Sequence, residues 1–430
     1  MPPTAPTAQE HTATPPQAGL PAPGGGRSAG RGAPRLYALD GLRLVAALMV
    51  VAYHYMAYGA NSDVTGWGGD PADHFPAPVS AAASYGFLGV ELFFLISGFV
   101  ICMSCWGRSP KEFLVSRVTR LFPAYWLAIL VTTAVMNIAP VVYDPPELTL
   151  VLSNLTMFQE AFNVGHIDGV YWSLWAELRF YLIFGIVVAM GTTYQRVLLF
   201  CGIWAVASVL SDQAELPLLD LLAQPRYAPF FIAGVVMYLM HRFRPNPMLW
   251  GLLIFCWLVA QHRTWALINQ AQESLSHQLS WEVALGFVTA FFLLVLLVAL
   301  GKLDFVRWGW LTTAGAITYP LYLLHENIGW TVIHVLSDRV PSWAIVAGLV
   351  PALMLLSWLV HRLVERPVGR ALRRQMMRPR PSIADGGAPA AKPVPAKPLG
   401  ATGAAPGPQE ATEPEPVHAG AGAGRAHSAP

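Results

Sequence analysis

The sequence predicts an all-α membrane protein: a polytopic bundle of about ten spanning helices with both termini in the cytoplasm. Three observations support this. The composition is 54% hydrophobic and only 12% charged, whereas soluble domains carry about 25% charged residues. The apolar residues form long blocks, each near the ~20 residues needed to cross a bilayer. Basic residues also collect in alternate loops. A soluble all-helical protein is therefore a poor alternative.

The chain divides into three regions. Residues 1–34 and 371–430 are predicted to be disordered cytoplasmic tails, the second beginning with a basic stretch, because Pro, Ala and Gly leave little to bury. The first tail lacks the apolar segment of a signal peptide. Residues 35–370 form the predicted transmembrane domain. Its spans are predicted at 36–58, 85–106, 113–137, 171–190, 197–210, 227–240, 248–261, 281–300, 314–336 and 343–364.

The loop charges predict the orientation. Loops 61–84 and 138–170 contain Asp and Glu but no Lys or Arg. Short cytoplasmic loops are enriched in Lys and Arg, so the acidic loops belong outside. The protein is therefore expected in the plasma or inner membrane, crossing it an even number of times. The basic residues that mark the cytoplasmic side are Arg27, Arg31, Arg35, Arg108, Lys111, Arg117, Arg120, Arg242, Arg244, Lys302, Arg307, Arg362, Arg366, Arg370, Arg373 and Arg374.

The first span carries two ionisable residues on one face. Charge inside a bilayer is costly, so each such residue is a functional candidate. Arg43 and His54 are eleven helical positions apart, which places them on nearly the same face, about 16 Å apart along the axis. A cation at the cytoplasmic rim and an imidazole one pantetheine arm deeper would suit an acyl-CoA site. Alternatively, Arg43 snorkels to the interface and His54 bonds a neighbouring helix.

Two carboxylates are predicted at a depth similar to that of His54. Glu91 lies about two turns below the outer end of the second span, and Glu177 lies two turns below the outer aromatic residues of the fourth. An imidazole with a carboxylate that orients it is an acid/base centre. The alternative for Glu177 is a structural pair with Arg179 or another intramembrane base.

Two arginines are predicted at the cytoplasmic start of the third span. Arg117 and Arg120 are three residues apart, so they share a helix face ahead of Pro123. Two guanidinium groups on one face are suited to bind phosphates. Ordinary cytoplasmic basic charge remains the alternative.

Four further residues are candidates for lining the same cavity: Asp40, Trp172, Tyr181 and His325. His325 and Glu326 follow Pro320, which should kink or weaken that helix.

No metal, bound cofactor, nucleic acid or protein partner is expected. Cys102 and Cys105 have the spacing of a redox or metal pair, but the second half of a zinc site is missing, and small apolar helix residues explain them better. There is no basic stripe with interleaved aromatic residues outside the apolar blocks.

Motifs spread over most of the chain resemble the acyltransferase-3 family of membrane acyltransferases. Their order and spacing together are specific, although each alone is weak. They are residues 39–43 (LDGLR) with His54 at an Arg-x10-His spacing, residues 89–99 (GVELFFLISGF), residues 117–125 (RVTRLFPAY), residues 172–181 (WSLWAELRFY) and residues 322–325 (YLLH).

The resemblance implies ten spans, a cytoplasmic acyl-CoA donor and transfer of the acyl group, with acetyl the favoured case, to a hydroxyl of a sugar, glycolipid, surface polysaccharide or glycosylated metabolite. It implies that His54 is the essential base, that Arg43, Arg117 and Arg120 bind the donor, and that Glu91 and Glu177 match acidic family positions. The main alternative is a transporter of glycolipid or polysaccharide intermediates that uses the His/Glu set for proton coupling. A non-catalytic scaffold is a third hypothesis.

Overall fold

The computed structural model describes residues 36–60, 65–214 and 216–378. Within these ranges the chain forms helices joined by turns and contains no strand, so the predicted all-α membrane fold is confirmed. The predicted disordered tail 1–34 lies outside the described residues, as does the second tail from residue 379 onward. The beginning of that second tail is described, and it is helical through Met377.

Fifteen α-helices are present in the described ranges. In chain order they are α1 Tyr37–Met56, α2 Ala77–Ala83, α3 Gly89–Cys105, α4 Pro110–Ile138, α5 Leu148–Asn154, α6 Trp172–Ala189, α7 Tyr194–Ala214, α8 Pro217–Ala223, α9 Ala228–Phe243, α10 Pro247–Gln272, α11 Trp281–Ala299, α12 Trp310–Leu324, α13 Glu326–Leu336, α14 Ser342–Val360 and α15 Arg366–Met377.

Every predicted span coincides with a helix, but only eight helical segments in the described ranges are long and apolar enough to cross a membrane. The other two predicted spans are the exceptions. Helix α9 has 16 residues, and the span predicted at 314–336 is divided into α12 and α13. The count of ten spans and the cytoplasmic termini therefore remain predictions.

The division between α12 and α13 falls at His325, five residues after the proline expected to weaken this helix. Pro320 has no N–H to donate to the preceding turn. The hydroxyl of Tyr55 in α1 donates to the carbonyl of His325 across the helix interface, at 2.5 Å. The break therefore holds His325 and Glu326 against α1, which carries His54.

Helices α3 and α9 cross at the centre of the bundle with almost no side chain between them. A Cβ on Gly98 would collide with the backbone of Phe231, and one on Gly234 would collide with the backbone of Leu95. Such backbone contact is the usual role of small residues where membrane helices pack. Helix α3 also packs against α1 and α6, and its Ser97 hydroxyl hydrogen-bonds Glu177 of α6.

The chain beyond α14 continues as one turn of π-helix, His361–Glu365, and then as α15. A π turn inserts an extra residue into a helix and is frequent at functional sites. Gly369 of α15 is buried, and a Cβ there would come within 2.8 Å of the carbonyl oxygen of Thr119 in α4. Helix α15 is therefore packed closely along the start of α4.

Candidate active site

One end of the bundle contains a cavity of about 460 Å³, here called the arginine-lined cavity. Its acidic lining residues are Glu177 and Glu365. Arginines outnumber these two residues, because α1, α4 and α15 each contribute at least one. The arginines are Arg43, Arg117, Arg120, Arg366, Arg370 and Arg373.

Arg43 and Glu177 lie at the deep end of this cavity. The Glu177 carboxylate accepts a hydrogen bond of 2.7 Å from the Ser97 hydroxyl of α3. The buried Nε of Arg43 has no hydrogen-bond partner among the described residues. Asp40, one turn before Arg43, lines an adjoining cavity that also contains Arg43. A half-buried guanidinium whose Nε lacks a hydrogen-bond partner among the described residues is suited to bind an anionic ligand.

Arg117 is held at the cavity wall by polar and aromatic contacts. It donates hydrogen bonds to the hydroxyls of Ser104 (3.2 Å) and Ser116 (3.0 Å). Its guanidinium lies 5.7 Å from the ring centre of Tyr181, a cation–π distance. These contacts leave its charge without a carboxylate counter-ion among the hydrogen bonds described.

Arg120 is instead paired with a carboxylate. Its guanidinium forms an ion pair with Glu365, whose other oxygen lies 2.9 Å from Nδ1 of His361. Glu365 and His361 both belong to the π turn. The pair holds the Arg120 side chain in place, and an anion that binds Arg120 has to share it with Glu365.

A second cavity, of about 490 Å³, lies around His54 and is called here the histidine-lined cavity. Its walls are mostly aromatic, with a few charged groups between them. The aromatic members are Tyr53, Tyr58, Phe87, Trp172, Tyr227 and Tyr322. The charged members are Glu91, Glu160, Arg226, Glu273 and Glu326.

The hydrogen bonds around His54 define which ring nitrogen is free. Nδ1 of His325 lies 2.7 Å from the carbonyl oxygen of Tyr322, and Nδ1 of His54 lies 2.9 Å from that of Val50. A carbonyl only accepts, so both Nδ1 atoms carry a hydrogen. His54 Nδ1 is also 3.1 Å from His325 Nε2, which accepts from it. In the neutral ring, Nε2 of His54 therefore has the free lone pair that a general base needs.

Glu326 is the carboxylate nearest to that lone pair among the ion pairs described. Its Oε1 lies 3.9 Å from Nε2 of His54. This separation is too long for a direct hydrogen bond and leaves room for a hydroxyl that contacts both groups. Glu326 packs directly on Gly169, where a Cβ would come within 2.6 Å of Oε1.

Asp168 supports Glu326 from behind. Both carboxyls are buried and lie close together. The two Asp168 oxygens also accept from the backbone N–H groups of Val170 (3.3 Å) and Asn327 (3.2 Å). Burial raises the pKa of the Asp168 carboxyl to about 6. Two buried carboxyls side by side disfavour a double negative charge.

A narrow cleft of about 60 Å³ lies between the two cavities. It shares Arg43, Ser97, Glu177 and Tyr319 with the arginine-lined cavity, and Val90 and Tyr322 with the histidine-lined cavity. Phe93 and Phe94 form part of its apolar wall. The cleft therefore adjoins both cavities and shares part of its wall with each.

The structure separates the residues proposed from the sequence into two groups. Arg43, Arg117, Arg120, Tyr181 and Glu177 belong to the arginine-lined cavity, so Glu177 lies with Arg43 and not beside His54. His54, Glu91 and Trp172 belong to the histidine-lined cavity. His325 lies behind His54 and is fully buried. Asp40 lies in the adjoining cavity. The roles of all these residues remain predictions.

Some site residues were not among those proposed. Glu326 had a signal in the sequence, since it is an ionisable residue inside a predicted span. Asp168 had none, because a carboxylate in an acidic outer loop is unremarkable without the fold. Among the described residues, no group of three or more His, Cys, Asp and Glu side chains is arranged to hold a metal ion.

A helical membrane bundle with an arginine-lined cavity, a histidine-lined cavity and a narrow cleft between them has the features of a membrane-bound transferase. Comparison with known proteins identifies the class further. The acyltransferase domain of the acyltransferase-3 family matches residues 36–362, and the chain belongs to this family. The protein is thus an acyltransferase with several membrane-spanning helices.

Two curated proteins are similar over shorter segments. The exopolysaccharide production protein ExoZ of Rhizobium meliloti (strain 1021) is 35% identical over 109 residues, which are 23% of this chain and 33% of ExoZ. Protein 2 in the picA locus of Rhizobium radiobacter is 30% identical over 189 residues, 38% of this chain and 88% of that protein. The match thus spans about a third of the length of ExoZ. No solved structure matches the chain.

Proposed function

We propose that the protein transfers an acyl group, with acetyl the favoured case, from cytoplasmic acyl-CoA to a hydroxyl of a carbohydrate-containing acceptor. The acceptor is a sugar, glycolipid, surface polysaccharide or glycosylated metabolite. The exopolysaccharide role in the name of the ExoZ relative favours a polysaccharide or its precursor. The family membership gives the reaction type, and the donor, the acceptor and the residue roles are the proposal.

The observation that carries this proposal is the narrow cleft that lies between the two cavities. Arg43 borders the cleft at one end, and His54 lies in the cavity at the other. Both are on α1, eleven residues and so about 16 Å apart along the axis, close to the reach of a pantetheine arm. The diphosphate of CoA then binds the arginines, the pantetheine occupies the cleft, and the thioester reaches His54.

The chemistry follows from the free Nε2 of His54. The acceptor hydroxyl binds between Nε2 of His54 and Oε1 of Glu326, and His54 takes its proton as the oxygen attacks the thioester carbonyl. The imidazolium is stabilised by the negative charge of the Asp168–Glu326 pair. Collapse of the tetrahedral intermediate breaks the C–S bond, and His54 returns the proton to the leaving thiolate. Such a general base contributes about 10²–10⁴ to the rate.

The supporting carboxylate in this scheme is Glu326, not Glu91 or Glu177. Glu91 borders the same cavity, and its buried Oε2 has no hydrogen-bond partner among the described residues. We assign Glu91 to the acceptor side, where a free carboxylate oxygen is suited to accept a hydrogen bond from a sugar hydroxyl. Trp172 stacks on Tyr227 in the same wall, with ring centres 5.3 Å apart, and offers an aromatic face to a sugar ring.

The test is a chemical comparison of strains. Surface glycans, lipids and secreted metabolites from a deletion strain are compared by mass spectrometry with those from strains complemented by wild type, His54→Ala or His334→Ala. His334 is exposed on α13 and serves as the matched control. We expect one acyl mass to be lost on deletion and restored by wild type and His334→Ala only. Loss of the whole glycan from the surface, without loss of an acyl mass from its precursor, would indicate a transporter instead.

A further inference from the structure

The last described helix forms a wall of the arginine-lined cavity. Arg366, Arg370 and Arg373 of α15 all line it, and their spacing places them on one face of the helix. The buried contact of Gly369 with α4 holds this face close to Arg117 and Arg120. The sequence alone assigned these α15 arginines only to the general positive charge of cytoplasmic loops.

We propose that Arg370 and Arg373 form a subsite for the phosphate on the 3′ position of the CoA ribose, so that the protein distinguishes CoA from dephospho-CoA. This inference rests on the proposed acyl-CoA donor. It adds a specificity-determining site on α15 to the donor site built from α1 and α4.

The charge of the cavity is the first argument. Six arginines and two glutamates line it, an excess of four positive charges. The CoA diphosphate carries two negative charges, and a phosphomonoester such as the 3′-phosphate adds about 1.5 to 2. The whole of CoA therefore balances the cavity, whereas dephospho-CoA leaves about two positive charges unmatched. His361 also faces the cavity and is bonded to Glu365.

The order of the arginines along the cavity is the second argument. Arg43 is next to the cleft, and Arg117 and Arg120 are partly buried, whereas Arg370 and Arg373 are exposed. In CoA the diphosphate is attached directly to the pantetheine, and the 3′-phosphate lies beyond it on the ribose. A donor whose pantetheine enters the cleft thus brings its diphosphate to the deep arginines and its 3′-phosphate to α15.

The contacts of the α15 arginines leave their donors available. Arg370 uses Nε to bond the carbonyl of Arg366, and its two terminal nitrogens make no hydrogen bond to any described residue, so they are available to a ligand. Arg373 lies within electrostatic range of Glu112, whose carboxylate is already occupied by the capping box at the start of α4. An Arg pair binds phosphate through charge-assisted bonds, which are about twice as strong as neutral ones.

A basic helix after the last span also suits anionic lipids, and the experiment separates the two roles. The full-length protein in nanodiscs of neutral lipid is titrated with CoA and with dephospho-CoA, and the two Kd values are compared. We expect wild type to bind CoA at least about ten-fold more tightly, which corresponds to about 1.4 kcal/mol. Arg370→Ala/Arg373→Ala should reduce this preference to about three-fold or less, mainly by weakening CoA binding.

Arg374→Ala is the matched control, since Arg374 is on the same helix and exposed but does not line the cavity. It should keep the preference, and Arg370→Lys/Arg373→Lys should keep part of it. Equal wild-type affinity for the two ligands would overturn the subsite while leaving the acyl-CoA donor intact. An unchanged preference in the double alanine variant would overturn it too and would favour a lipid role. If wild type bound neither ligand, the proposed donor itself would fail.

Discussion

The charge of Glu326 offers the most direct test of the proposed chemistry. Glu326→Gln keeps the shape of the side chain on Gly169 and removes its ability to carry negative charge. At 3.9 Å, a full charge on Glu326 attracts the His54 imidazolium by about 4 kcal/mol at an effective dielectric constant of about 20. In the variant a negative charge can remain on Asp168, which forms no ion pair with His54 among those described, and we assume that about half of the attraction is kept.

A loss of about 2 kcal/mol in the transition state lowers kcat about 30-fold. The KM for the donor should stay nearly constant, because Glu326 does not line the arginine-lined cavity. The assay measures transfer of radiolabelled acetyl from acetyl-CoA into membranes of the deletion strain, normalised to folded protein. Glu91→Gln and Glu177→Gln are matched controls with the same chemical change. The reasoning is refuted if Glu326→Gln retains wild-type kcat, or if Glu91→Gln or Glu177→Gln lowers it more.

Three further predictions concern the other parts of the site and the topology. His54→Ala should lower transfer by about 10²–10⁴ while donor-induced thermal stabilisation of the same sample is kept; near-normal turnover would end its assignment as the base. Arg117→Ala and Arg120→Ala should each raise the donor KM about ten-fold or more, with kcat nearly kept, because phosphate contacts act in the ground and transition states alike; a fall in kcat at constant KM would exclude them from the donor site. A reporter that is active only outside the cell, fused after Pro430, should stay silent, and activity there would reverse the proposed sides of the two cavities.

Much of the fold was predictable because its signals are local. Long apolar blocks and alternating loop charge depend on neighbouring residues alone, and every predicted span except that at 314–336 coincides with a single helix. The break at His325 was only partly foreseen. Pro320 indicated a weakened helix, but where the helix divides depends on the contact of Tyr55 with the carbonyl of His325, which lies 270 residues away in the sequence.

The site was predictable in its residue types and less so in its pairings. The spacing of Arg43 and His54 on one helix face follows from helix geometry, and the structure places Arg43 at the narrow cleft and His54 in the cavity beside it. Which carboxylate approaches His54 depends on how α1, α6 and α13 pack. Depth estimates placed Glu91 and Glu177 level with His54, yet depth does not say which way a side chain faces. The proposed role of the α15 arginines could not be predicted from the sequence, because it depends on the packing of α15 against α4, which no periodicity predicts.

Because Arg43 and His54 lie on a single unbroken helix, α1 fixes the distance between the arginine that would bind the proposed donor and the histidine that would act as the base. Inserting one residue between them would turn His54 by about 100° and move it about 1.5 Å, so this segment should tolerate substitutions far better than changes in length. A fixed distance also means that the thioester of every acyl-CoA would lie at the same position beside His54. The acyl chain must then extend beyond that point into the space that the acceptor occupies, so lengthening the acyl group would take room from the acceptor.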